Sequence, residues 1–130
     1  MLADTSFLID IMVNDAAAVE KARAIEASGT PIMVSAPTVF ELHVGLSMSR
    51  RPDVEKVRML AVLGSLPFLP LDYESASAGG RIYGERKRLG SAVDPEDAMI
   101  AGIAKVRGEK VLTRNLRHFE GIEGVGVESY

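Results

Sequence analysis

Residues 98–106, Ala-Met-Ile-Ala-Gly-Ile-Ala-Lys-Val, constrain the fold more than any other stretch. At 3.6 residues per turn they are apolar nearly all round, and a helix of that kind has to be buried. The four residues before them, Asp94-Pro95-Glu96-Asp97, read as its N-terminus. Asp94 falls at the N-cap, and Pro95 takes the first helical position, where a missing N–H costs nothing. Asp97 comes three residues after the cap, where an acid can reach back to the cap's own N–H. A buried helix that begins with three acids points them into the protein or into a cleft. Carboxylates at the positive end of a helix dipole stay ionised, and ionised oxygens held together suit a hard cation such as Mg2+. Cap duty alone accounts for Asp94, and a capping box would account for Asp97. The choice therefore depends on the other acids.

The remaining chain alternates short apolar strands with helices. Residues 1–3 form a very short strand ending at Asp4, and Thr5 or Ser6 begins a helix that carries Phe7, Leu8 and Ile11. Residues 16–27 are helical and stop at Ser28-Gly29. A strand over 31–35 leads through Ala36-Pro37-Thr38 into a helix with Glu41 in its first turns. Residues 54–66 form another helix, with Val57, Leu60 and Leu63 on one face. Pro67 to Leu71 is a Pro-bounded edge strand, and Asp72 caps a helix that runs to about Leu89. That helix ends in Arg86-Lys87-Arg88, which complements the dipole or offers a phosphate contact. Residues 110–113 form a buried strand, a polar turn holds Arg114, Asn115 and Arg117, and 125–127 add a last edge strand. Such alternation predicts a parallel sheet with helices on both faces.

Composition narrows the function. The chain has 130 residues, enough for one domain with one core, and 47% of them are apolar. A net formal charge of −3 argues against nonspecific polyanion binding, so any nucleic-acid contact is a local basic patch. With no cysteine there is no disulfide framework and no thiolate metal site, which suits a reducing cytoplasm. Met1-Leu2-Ala3-Asp4 has no basic segment before an apolar run, so no signal peptide is expected, and no apolar run approaches membrane-spanning length.

Three acids now occupy equivalent places: Asp4 after the first strand, Glu41 after the second, and Asp97 at a helix mouth before the fourth. The strand-end loops of a doubly wound sheet converge on one edge. Converging carboxylates repel unless a cation joins them. His43 has no ligand-spaced partner, the only other histidine being His118. Without cysteine or a histidine pair, Mg2+ or Mn2+ is favoured over Zn2+.

These segments, Asp4-Thr5-Ser6-Phe7-Leu8-Ile9, the Glu41-Leu42 helix, Asp97 to Gly102 and Val111 to Phe119, resemble the PIN-domain ribonucleases, and more narrowly the toxins of VapBC-type toxin–antitoxin pairs. The resemblance spans residues 1–130 as a single domain. It implies a three-layer α/β/α sandwich around a small parallel sheet. It also implies Mg2+-dependent cleavage of RNA (Mn2+ as a substitute), a cognate antitoxin and a homodimer. Asp4, Glu41 and Asp97 match the family's acidic positions, as catalytic residues and metal ligands, with Asp94 as a spare oxygen. Ser6 and Thr113 are supporting polar groups. Asn115 stands where a fourth acid often sits, which weakens a second metal site. Arg86, Lys87, Arg88, Arg114 and Arg117 are the candidate RNA contacts.

Other classes fit less well. A haloacid-dehalogenase-type phosphatase needs an Asp where Ser6 stands. A receiver-like phosphoswitch would need paired acids after the first strand and a Lys near Thr113, and has neither. A non-catalytic RNA-binding module that keeps the fold is the remaining alternative.

Overall fold

The strands are only two or three residues long, and the central ones, Leu2–Ala3 and Lys110–Leu112, alternate between two hydrophobic layers. The computed structural model describes Met1–Tyr130. Its strands are β1 (Leu2–Ala3), β2 (Val34–Ser35), β3 (Phe68–Leu69), β4 (Lys110–Leu112) and β5 (Gly126–Glu128). Between them lie α1 (Thr5–Met12), α2 (Ala16–Ala27), α3 (Ala36–Ser47), α4 (Pro52–Leu63), α5 (Tyr73–Arg88) and α6 (Pro95–Arg107). Parallel pairing joins β1 to β4 and β4 to β5, and separately β2 to β3. A parallel bridge between Leu2 and Met33 links the two ladders, with Ala3 N–H donating to the Met33 carbonyl and Met33 N–H to that of Met1, both at 2.9 Å. The spatial order is therefore β3-β2-β1-β4-β5, with β3 and β5 at the edges, as the strand assignments predict.

The period of two along a strand does the sorting. Leu2 and Val111 face α5 and α6, where Ile82, Ile100, Ile103 and Phe119 close one core. Ala3 and Leu112 face the other way, against Phe7, Leu8, Ile25, Leu42 and Met59 from α1 to α4. The result is the expected α/β/α sandwich. Each fully buried side chain of this size contributes about 1.5–3 kcal/mol. No helix is long and apolar enough to cross a membrane.

The helix of residues 98–106 is buried as its composition demands, and α5 crosses it at close range. A Cβ on Gly102 would meet the Ser75 carbonyl and would lie 2.6 Å from the Gly79 nitrogen. Only glycine lets the two backbones approach so closely. Behind the crossing, Gly108 ends α6 in the left-handed region at φ 67°.

Three of the six helices carry a side-chain cap. The Asp4, Asp15 and Asp72 side chains accept from the N–H groups of Phe7, Ala18 and Ser75 at 2.9–3.0 Å. Asp94 sits at the N-cap of α6 with extended backbone (φ −67°, ψ 148°), but its side chain makes no capping bond. Its backbone carbonyl does take the Ala98 N–H at 3.0 Å. The capping box left open for Asp97 is absent, since its side chain meets His118 instead.

Candidate acidic site at the strand ends

Asp4 carries two duties at once. As the N-cap of α1 its Oδ1 accepts from the Phe7 N–H at 3.0 Å and the Ser6 hydroxyl at 2.7 Å. Its Oδ2 accepts from the Thr113 hydroxyl at 2.5 Å, across from the end of β4. Asp4 is only 4% exposed, so these donors replace the water it has lost. The Thr113 hydroxyl also accepts the Asn115 N–H at 2.9 Å, which shapes the turn after β4. Asn115 thus contributes through its backbone, and its side chain is exposed.

Glu41 lies on the first turns of α3, after β2. Its Oε1 accepts from the Thr5 hydroxyl at 2.7 Å. Burial, then the charges of Asp97, Glu96 and Asp4, hold it above the ordinary carboxylate range, against the opposing Thr5 bond. Asp97, in the first turn of α6, is also raised by burial. The charges of Asp4 and Asp94 add to that, while the contact with His118 opposes it. The Asp97 Oδ2 lies 2.8 Å from His118 Nδ1. Asp4 and Asp97 lie close enough to Glu41, and Asp4 to Asp97, for their charges to raise the two half-buried acids. As placed, no three of these carboxylates close around a single point; Glu41 is tied to Thr5 and Asp97 to His118.

The basic candidates divide. Arg114, Asn115, Arg117, His118 and Arg86 line a groove of about 540 Å3 beside the acids. Within it Arg86 is already committed: its Nη atoms donate to the Glu120 and Arg117 carbonyls at 2.9 and 3.2 Å. It straps the loop after β4 to α5 and is not a free phosphate contact, contrary to the sequence expectation. Lys87 lies over the Tyr83 ring, 5.9 Å from its centroid. Lys87 and Arg88 are exposed on the last turn of α5 and do not line the groove.

Four residues of this region escaped the sequence reading: Thr5, Asp10, His118 and Tyr130. Thr5 carried a signal, as a hydroxyl directly after a strand-end acid. His118 had none, because its partner lies 21 residues away. His43 is exposed, as expected of a histidine without a partner.

A parallel sheet between helical layers, with acids after two strands and a third at a helix mouth, defines an α/β domain with an acidic site at its strand ends. Residues 1–124 match the PIN domain model, and the chain belongs to the PIN domain family. Among its relatives is the "tRNA(fMet)-specific endonuclease VapC" of Salmonella typhimurium, 37% identical over 97 residues, which cover 75% of this chain and 74% of the relative. The protein of the same description from Shigella flexneri is 30% identical over 129 residues, 99% of this chain and 96% of the relative. The crystal structure of DNA-bound VapBC from Salmonella typhimurium superposes with a TM-score of 0.87 at 32% identity, covering 98% of this chain and 96% of that one. The family match leaves the receiver-like alternative without an observation in its favour.

Proposed function

We propose that this chain is an endoribonuclease of the VapC kind, the toxin half of a toxin–antitoxin pair, folded as a single domain. The observation that carries the reading is the shared field of Asp4, Glu41 and Asp97 at the strand ends of a PIN domain. The donor set fits a hard divalent cation, because it consists of carboxylate oxygens and offers neither a cysteine nor a histidine pair. Two of the three acids are destabilised as anions, which is what an added positive charge would relieve. Asp4, Glu41 and Asp97 would hold Mg2+, with Mn2+ as a substitute and Asp94, free of cap duty, as a further oxygen. A bound divalent ion supplies an activated water and neutralises charge on the phosphoryl oxygens. Thr113 and Ser6 fix the Asp4 carboxylate, while Thr5 and His118 orient Glu41 and Asp97. Glu41 or Asp97, each raised above its ordinary value by burial first of all, would accept the proton of the attacking water. Arg114 and Arg117 face the RNA backbone, with Lys87 and Arg88 as outlying contacts.

The partner reading has its own support. Ile9, Met12, Val13, Leu42, Leu46 and Met59 line an apolar groove of about 260 Å3 that reaches Glu41. On the opposite face of α4, Val57 and Leu60 are 69% and 52% exposed. Apolar surface of this extent marks an interface. A cognate antitoxin covers the groove, and the Val57–Leu60 face pairs two copies of the toxin. Leu63, half-buried against the core, lies at the edge of that face.

The test is cleavage of RNA by purified protein, with tRNA(fMet) tried first because two relatives bear that substrate in their names. Cleavage should require Mg2+ or Mn2+ and vanish in Asp4→Asn, and expression without antitoxin should arrest growth. Intact RNA at high enzyme concentration would leave the non-catalytic RNA-binding module as the better reading. A monomeric mass by light scattering at tens of micromolar, on the order of a weak dimer's Kd, would remove the homodimer.

A further inference from the structure

Asp10 is a buried carboxylate, 6% exposed, and the proposed chemistry does not use it. It lies on α1, one turn past Ser6, and its environment is built from two distant segments. The Arg114 Nη1 donates to Asp10 at 3.0 Å from Oδ1 and 2.9 Å from Oδ2. The Tyr130 hydroxyl donates to Oδ2 at 2.6 Å. The Tyr130 ring stands edge-on to Phe7 with centroids 4.9 Å apart, so the hydroxyl is held in place from behind. Burial and then the Asp10 bond push the Tyr130 hydroxyl well above the ordinary phenol range, so it remains a donor.

Arg114 is the asymmetric member. Its side chain is 54% exposed, against 8% for that of Asp10. Only Nη1 is engaged, and Nε and Nη2 have no partner in the chain. Arg114 directly follows Thr113, which bonds Asp4, and it lines the groove with Arg117 and His118. A flexible arginine beside three carboxylates would fold onto them. Here one edge of the guanidinium is anchored on Asp10 and the other is presented to the groove.

We propose that Asp10 and Tyr130 are positioning residues that brace Arg114, so that its free edge takes a backbone phosphate of the RNA beside the acidic site. The inference rests on the ribonuclease reading. A guanidinium with one edge fixed loses less freedom on binding phosphate than a mobile one, so the brace acts on affinity and leaves the chemical step alone.

The experiment measures cleavage kinetics on a single-stranded RNA oligonucleotide, together with its binding by anisotropy in EDTA over a range of salt. Arg114→Ala and Asp10→Asn should each raise KM and Kd about ten-fold, with kcat within about two-fold, and each should flatten the salt slope by about 0.7. The double variant should be no worse than Arg114→Ala alone, since the brace works only through Arg114. Tyr130→Phe, which keeps the ring against Phe7, should give a smaller rise, about three-fold, that disappears in the Arg114→Ala background. This second cycle carries the test if Asp10→Asn fails to fold. Additive effects in either cycle, or a loss confined to kcat, would overturn the brace. A wild-type protein that neither binds nor cuts RNA would overturn the ribonuclease reading and the brace with it, whereas additivity in an active enzyme removes the brace alone.

Discussion

Thr113→Val tests whether the site is held together by a single hydroxyl. Valine matches threonine in shape, so the fully buried side chain leaves no cavity, and the change is chemical. Two bonds disappear. The Asp4 Oδ2 loses its donor at a place where water does not reach, because Asp4 is 4% exposed. A hydrogen bond to a charged group is worth about 1.5–3 kcal/mol. The Asn115 N–H loses its acceptor as well, but Asn115 is exposed and water replaces most of that, leaving about 0.5–1 kcal/mol. The expected cost is about 2–4 kcal/mol, or roughly 8–15 °C in Tm for a domain of this size. The assay is urea unfolding in EDTA, so that no cation supplements the missing donor. Thr113→Ser keeps the hydroxyl and sheds a methyl group, and should cost about 1 kcal/mol. Ser6→Ala removes a donor from Oδ1, where the Phe7 N–H remains, and should also cost about 1 kcal/mol or less. If Thr113→Val costs less than its serine counterpart, the hydroxyl is incidental and the account of Asp4 is wrong.

Other expectations concern the acids. Burial, then neighbouring charge, raises the folded-state pKa of Glu41, so the native protein keeps this proton to higher pH than the unfolded chain does. Metal-free stability from this group is therefore greatest below the unfolded value and is lost as pH rises through the folded one. Glu41→Gln should melt higher than wild type in EDTA at about pH 7, with the gap closing near about pH 4; a gap that widens in acid reverses the sign. Asp94→Ala should cost under about 0.5 kcal/mol in urea melts, because the side chain makes no capping bond; a loss of about 1 kcal/mol, the ordinary worth of an N-cap, would show that it caps in solution. Asp97→Asn should abolish cleavage and shrink the Mg2+-induced rise in Tm, whereas an undiminished Mg2+ shift would remove Asp97 from the ligand set.

Much of this was legible in the sequence because local rules decided it. The apolar surface of residues 98–106 required burial, the alternation of elements required a parallel sheet, and Asp72 capped its helix as its position indicated. What stayed hidden depended on side-chain direction or on distant partners. Asp94 occupies a cap position, but position does not determine which way a carboxylate turns. Asp97 looked like half of a capping box, because the alternative partner, His118, enters from the turn after β4. The cluster Arg86 to Arg88 looked uniform, yet Arg86 alone reaches carbonyls 31 and 34 residues away. The division of Leu2 from Ala3, and of Val111 from Leu112, between two cores could not be read from strands this short without their register.

The contact between Gly102 and Gly79 bears on how a mutational map of this protein would look. It holds no acid, hydroxyl or base, and it lies midway along α6, away from the mouth that carries Asp97. Yet α6 delivers Asp97 at one end and feeds β4, and so Thr113, at the other. A single methyl group at Gly102 must push the two helices apart, because the atoms it meets are backbone and cannot rotate away. That displacement reaches both flanks of the acidic site together. A saturation scan scored by activity should therefore show two silent-looking glycines that are as intolerant as the carboxylates, and no chemical rescue in trans could restore them.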